Sequence, residues 1–348
     1  MKFDITKYVR KNLLKLEPYQ SAREEFVDDG RKNILLDANE NPFETAVNRY
    51  PDPMQVLLKE RISFWKEVPT NQLYLSNGSD EFISQIIMGC CEPGIDHIVI
   101  VPPTFGMYKV AARTYGVGVK EVPLTIDFQL NVAAILASVN EHSKLIFIPT
   151  PNNPTGNSFK EDDIKEIIEG FDGFVIIDEA YVEFTKASSV IPWLIDHSNL
   201  IVCQTFSKAQ GMAGSRLGMA FAHSELIHFL NKIKAPYNIN SLTINKALQR
   251  IDEQSMVAEQ VSKILSERKR LEISLSKIDL VKKCYPSDAN FLLVKVDDST
   301  LRYKQLLEHR IIVRNSSKNM GCENTLRISV GLPEENDTLI KVLINLDR

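Results

Sequence analysis

None of the five cysteines (Cys90, Cys91, Cys203, Cys284, Cys322) stands in a C-x-x-C pair, and an odd count leaves one without a disulfide partner. That argues against a disulfide framework and a zinc site, and points to buried packing thiols in a reducing cytoplasm. Long apolar runs are missing too. Nothing approaches the roughly 18 residues of a membrane span, and residues 1–16 mix apolar with basic residues without the continuous apolar centre of a secretion signal. The glycosylation-like triplets starting at Asn77, Asn315 and Asn336 therefore carry no weight. Positive charge is not in excess: 41 Lys and Arg stand against 45 Asp and Glu, a net charge of -4. No strong basic field draws in nucleic acid or an anionic membrane.

Several catalytic signatures are also lacking. There is no G-x-x-x-x-G-K-[ST], and Gly116-Val117-Gly118, the nearest approach to G-x-G-x-x-G, lacks the third glycine and leads into a strand. A P-loop or nicotinamide enzyme is disfavoured. No H-E-x-x-H occurs and none of the six histidines lies near a Ser or Cys motif, which removes zinc-protease and triad-hydrolase readings. Internal repeats and low-complexity tracts are absent, so no solenoid or tail is implied.

What is present is the balance of a soluble enzyme, 44% hydrophobic and 25% charged, over 348 residues, a length for two domains. From about residue 75 to 222 short apolar runs alternate with amphipathic stretches, the rhythm of βαβ units. Strands are expected at 97–101, 117–122, 144–148, 173–177, 200–205 and 218–222, with helices at 106–114, 132–139 and 161–169. The continuous Val/Ile/Leu/Phe runs suit parallel strands buried on both faces. Pro236 closes a helix near 225–234, and a long helical pattern follows over 242–274. A strand at 290–296, a helix at 301–310, a strand at 326–330 and a helix at 334–346 then describe a small α+β domain. The expected class is α/β: a large domain with a mainly parallel sheet sandwiched by helices, plus that small domain. The expected division is an arm over 1–30 that packs with the small domain, a large domain over 31–255, and the small domain over 256–348.

Each apolar run ends in polar residues. Asn152-Asn153-Pro154-Thr155-Gly156 follows one, Asp178-Glu179-Ala180-Tyr181 the next, and Thr205-Phe206-Ser207-Lys208 a third. Singly these read as a turn, a helix cap and an exposed loop. The order and spacing of Asn153, Asp178, Tyr181, Lys208 and Arg216, however, resemble the fold-type I family of pyridoxal 5'-phosphate (PLP) enzymes, specifically the aminotransferases. Leu16-x-Pro18-Tyr19-Gln20, Asn48-Arg49-Tyr50-Pro51-Asp52, and Arg314 with Leu326-Arg327-Ile328-Ser329-Val330-Gly331 narrow the resemblance to the histidinol-phosphate aminotransferase family, over nearly the whole chain.

The resemblance implies a site. Lys208 forms a Schiff base with the cofactor aldehyde and later moves a proton, and Asp178 keeps the ring nitrogen protonated. Asn153 and Tyr181 reach the ring hydroxyl. Phe105 stacks on the ring where the family often carries Tyr, which keeps the stack and removes a hydroxyl. Backbone N–H groups at Ser79 and Asp80, opening an apolar helix, cradle the phosphate with Thr205, Ser207 and Arg216, and Asp80 acts as a cap rather than a ligand. Tyr50 reaches the phosphate in a neighbouring subunit, so a homodimer with a shared site is implied. Arg327 binds the glutamate carboxylate, Arg314 the phosphate of histidinol phosphate, Tyr19 closes over the substrate and Asn39 lies at the pocket mouth. The implied reaction is ping-pong exchange of an amino group between glutamate and imidazole acetol phosphate. An aromatic amino acid aminotransferase and a phosphothreonine-type decarboxylase remain the alternatives on this scaffold.

Overall fold

Residues 145–148, 174–177 and 200–203 are all buried, and alternate side chains enter different cores. Ile146, Ile148, Val175, Ile177 and Val202 join one core, while Leu145, Phe147, Phe174, Ile176, Ile201 and Cys203 join the other. The period-two alternation of a strand thus places apolar side chains on both faces of a sheet that is covered twice. The computed structural model describes residues 3–19, 23 and 34–347. Its strands are β1 Leu73–Ser76, β2 His97–Ile100, β3 Gly118–Glu121, β4 Ser143–Pro149, β5 Phe174–Asp178, β6 Leu200–Thr205, β7 Gly218–Phe221, β8 Val281–Cys284, β9 Phe291–Val296, β10 Arg314–Asn315 and β11 Thr325–Ser329.

The first seven form one sheet in the order β1-β7-β6-β5-β4-β2-β3. Neighbours from β6 to β3 are parallel, and β7 is antiparallel to both β6 and β1. The carboxyl ends of β4, β5 and β6 therefore emerge on one edge, where ligands of open α/β sheets bind. A second, antiparallel sheet has the order β10-β11-β9-β8 and its own core of Leu292, Val294, Leu326 and Ile328 with Leu271 and Leu275. No described helix is long and apolar enough to cross a membrane.

Three expectations need correction. The continuous helix over 242–274 is two helices, Ser241–Asp252 and Gln254–Leu275, interrupted at Glu253 (φ -96°, ψ 24°). No glycine or proline marks the break. It is tied down by Arg250, which donates to Glu253 Oε2 at 3.1 Å and to the Gln210 carbonyl at 2.8 Å, two residues past Lys208. Second, β1, β8 and the helix Val56–Lys66 are additions to the expected elements: both strands are only four residues long, and β1 gains its partner β7 from far along the chain. Third, residues 3–14 of the arm pack on the large sheet rather than on the small one. Phe3, Ile5, Tyr8, Val9, Leu13 and Leu14 lie against the core that contains Phe82 and Phe174, and Arg10 pairs with Glu92 at 3.2 Å. Apolar burial decides the docking of this segment. Most of the remaining arm, residues 20–22 and 24–30 with Gln20 of the sequence motif, lies outside the described residues.

Candidate active site

A cleft of about 240 Å³ opens at the carboxyl ends of β4 to β6, and its lining includes Ser79, Asp80, Phe105, Asn153, Asp178, Tyr181, Thr205, Ser207, Lys208, Arg216 and Arg327. The topology explains the gathering. Asp178 is the last residue of β5 and Thr205 of β6, and Asn153 follows β4 within four residues. β7, antiparallel to β6, begins beside Thr205 at Gly218, which brings Arg216 back to the same edge.

Asp178 forms the floor and is only 6% exposed. Its Oδ2 accepts the Tyr108 hydroxyl at 2.6 Å and its Oδ1 accepts the Ala180 N–H at 3.1 Å. Burial raises its pKa, with Asp80 adding to that, while the Tyr108 and Ala180 hydrogen bonds and the charge of Lys208 act against it. This carboxylate therefore lies beside a cleft with little to neutralise it. A protonated ring nitrogen would supply the missing cation.

Lys208 Nζ stands 5.5 Å from the centroid of the Tyr181 ring. Desolvation and then the Arg327 charge lower its pKa, Asp178 and Asp80 oppose this, and Arg216 adds to it. Burial pushes Tyr181 up to about 12 despite Arg327, and its hydroxyl oxygen accepts from Asn153 Nδ2 at 3.4 Å. Asn153 Oδ1 in turn accepts from Arg327 Nη1 at 2.5 Å, which links the two sheets across the cleft.

The far end is built for an anion. The helix Ser79–Cys90 opens at Gly78 (φ 76°) with no side-chain cap, so its first N–H groups lack intrahelical partners. Asp80 is thus not a cap: it lies in the first turn, and its Oδ2 accepts from Arg216 Nη2 at 3.2 Å. Arg216 Nη1 also donates to Ser207 Oγ at 3.3 Å. A Cβ on Gly78 would collide with Arg216 Nη2, and one on Gly218 would come within 2.5 Å of the Ser79 nitrogen. Only bare backbone fits at these two positions.

Arg314 and Arg327 face each other directly in the β10–β11 register, so their side chains share one face. Neither pairs with a carboxylate among the described residues, and burial together with Arg314 lowers the Arg327 pKa, against an opposite effect of Tyr181. Four expected residues are not among those that line this cleft: Arg314, which is exposed, Asn39, Tyr19, and Tyr50, the last expected at a neighbouring subunit's phosphate. Asn39 and Tyr50 line a second cleft of about 480 Å³ in which Tyr50 stacks on Tyr237 at 4.5 Å, and Tyr19 is 70% exposed. Tyr108 is a site residue that the sequence pattern does not flag. Helical periodicity with Ala111 and Ala112 marks it as buried, but nothing local points its hydroxyl to a carboxylate 70 positions away.

The donor set fits PLP: an anion cup, an amine, and a buried carboxylate, with Phe105 as a flat wall. Fold and site together define the class, a PLP-dependent enzyme of fold type I. Residues 24–343 match the aminotransferase class I and II family. The histidinol-phosphate aminotransferase of Flavobacterium psychrophilum is 46% identical over 98% of each chain. Among solved structures, the histidinol-phosphate aminotransferase of Clostridium acetobutylicum superposes with a TM-score of 0.80 at 24% identity, covering 86% of this chain and 91% of that one. That of Sinorhizobium meliloti, in complex with PLP, gives 0.79 at 23%, covering 86% and 83%. The chain belongs to the aminotransferase class I and II family, among its histidinol-phosphate aminotransferases.

Proposed function

We propose that this chain catalyses transamination between L-glutamate and imidazole acetol phosphate, giving 2-oxoglutarate and L-histidinol phosphate in histidine biosynthesis. The observation that carries the substrate assignment is the unpaired Arg314–Arg327 couple beside the Lys208 cleft. One pocket must take a dicarboxylate and then a phosphate monoester without a carboxylate, and two adjacent cations serve both. Arg327 offers a bidentate fork to the glutamate carboxylate, and Arg314 meets the phosphate of the second substrate. Bound PLP supplies an aldehyde that exchanges amino groups and a ring that draws electrons from the substrate α-carbon. Asp178 would hold the negative charge that keeps a proton on the ring nitrogen, while Arg216, Ser207, Thr205 and the N–H groups of Ser79 and Asp80 would hold the phosphate. Asn153 and Tyr181 would hydrogen-bond the ring hydroxyl, and Phe105 would stack on the ring. Lys208, its basicity lowered, takes the α-proton at Nζ and returns it in each half-reaction.

Tyr50 belongs to a site completed by a second copy of the chain, with Asn39 at the pocket mouth and Tyr19 closing over the substrate. The separation of Tyr50 from the Lys208 cleft of its own chain supports this, as do the exposed Leu36, Phe43, Val47 and Leu57 on the same stretch. We read the chain as a large unit over residues 31–255 and a small one from 256, a division that the presence of two separate sheets supports, and the five free cysteines support a reducing cytoplasm.

Single half-reactions with glutamate, histidinol phosphate, phenylalanine and phosphothreonine test the assignment. Glutamate and histidinol phosphate should react with the highest kcat/KM. A higher value for phenylalanine would move the reading to an aromatic aminotransferase, and carbon dioxide release from phosphothreonine to a decarboxylase.

A further inference from the structure

We propose that Tyr108 is a positioning residue of the reaction, whose hydroxyl fixes the orientation of the Asp178 carboxylate and keeps it anionic. Tyr108 is fully buried, and Asp178 is the only acceptor its hydroxyl meets among the described residues. A phenol facing an ionised carboxylate can only donate, so the 2.6 Å contact is a charge-assisted bond that favours the anion. The ring cannot swing away. It stacks on Phe147 of β4 at 4.6 Å and 20°, and meets Phe105 edge-on at 5.5 Å and 85°. One side chain on the helix Met107–Thr114 thus braces both the floor of the cleft and its aromatic wall.

The need for such a brace follows from the surroundings of Asp178. The groups that face it are Tyr108 from that helix, Lys208 after β6, Asp80 from the helix Ser79–Cys90, Cys203 beside it on β6, and Tyr181 and the Ala180 N–H from its own segment. Of these, Lys208 is the cation, and its own basicity is lowered. Without Tyr108, Oδ2 would be a buried carboxylate oxygen with no donor, and protonation of Asp178 would relieve it. A protonated Asp178 no longer supports a proton on the ring nitrogen.

The inference rests on the reading of Asp178 given above, and the experiment separates the two. Wild type, Tyr108→Phe, Asp178→Asn and the double variant are prepared as apoenzymes and titrated with PLP, and the visible absorption of the bound cofactor is followed against pH. Tyr108→Phe keeps the packed ring, so the fold, checked by circular dichroism, should hold. It should weaken PLP binding and lower kcat by about tenfold each, the lower end for a hydrogen bond to a charged group, with little change in KM for glutamate. In the Asp178→Asn background the same change should cost less than about twofold, because the two residues act as a unit. Equal losses in both backgrounds, or wild-type affinity and spectrum in Tyr108→Phe alone, would overturn the role of Tyr108. Wild-type affinity and spectrum in Asp178→Asn would instead overturn the reading of Asp178 itself.

Discussion

Two like charges placed directly opposite on an antiparallel pair repel, and a protein gains no stability from keeping them unpaired. Arg314 and Arg327 are such a pair, and one of them is drawn to Asn153 while the other stays exposed. Arg314→Ala should therefore leave the melting temperature unchanged or slightly raised. It should lower kcat/KM for histidinol phosphate by about 10- to 100-fold, the range for losing a charge-assisted contact, and glutamate far less. Steady-state kinetics with both substrates checks this, and equal losses on both would refute the division of labour. At this scale the sequence is informative where a candidate site residue closely follows an apolar strand, as Asn153, Asp178, Tyr181 and Lys208 do, and Arg216 is flagged by its spacing from Lys208; the structure brings all five to one cleft. Tyr108 is not legible, because its role lies in a contact between distant segments. The capping role expected of Asp80 fails for a related reason: its ion partner Arg216 is 136 positions away.

Among the elements, the strands buried on both faces are legible because a short, continuously apolar run needs cover on every side. β1 is not, since four residues with three apolar side chains fit a loop equally well until β7 pairs with them. The break at Glu253 is hidden because it depends on the Arg250 guanidinium reaching the Gln210 carbonyl, while the local residues carry no helix breaker. β7 carries the most demanding position. A Cβ on Gly218 would lie 2.5 Å from the Ser79 nitrogen and 2.6 Å from the Gly78 carbonyl carbon, both backbone atoms that cannot step aside singly. Gly218→Ala should push the start of the helix Ser79–Cys90 away from Arg216 and open the anion cup. The expected cost is about 1–3 kcal/mol of stability, as for overpacking generally. Affinity for PLP should fall while affinity for pyridoxal, which has no phosphate, changes little. Equilibrium titration with the two compounds distinguishes a damaged cup from general loosening, which would weaken both.

At the scale of the whole molecule, a chain of net charge -4 handles an anionic cofactor and anionic substrates by concentrating cations locally. Lys208, Arg216 and Arg327 line one cleft, with Arg314 beside Arg327. Tyr19, expected to close over the substrate, is exposed, and Tyr50, expected at a neighbouring subunit's phosphate, lies outside this cleft. Tyr50, half-exposed and stacked on Tyr237, is held instead by Glu40, which accepts its backbone N–H at 2.6 Å and pairs with Arg23 and Arg49. Burial alone would raise the Glu40 pKa, but hydrogen bonds from Arg49, Tyr50 and Arg23 bring it down to about 2, so the clamp is intact at any physiological pH. A Tyr50 whose backbone N–H is held by Glu40 and whose ring stays half-exposed suits a role in another copy's site. Mixing two inactive or weakened variants tests this. In a hybrid of Lys208→Ala with Tyr50→Ala, a shared site would unite Lys208 of one chain with Tyr50 of the other in one intact centre. The second centre would lack both. Random reassortment of equal amounts makes half the dimers hybrids, so activity should rise to about a quarter of the wild-type value. If Tyr50 serves its own chain, the hybrid centre retaining Lys208 still lacks its tyrosine. Mixing would then yield only the average of the two parents, and the shared-site reading would fall.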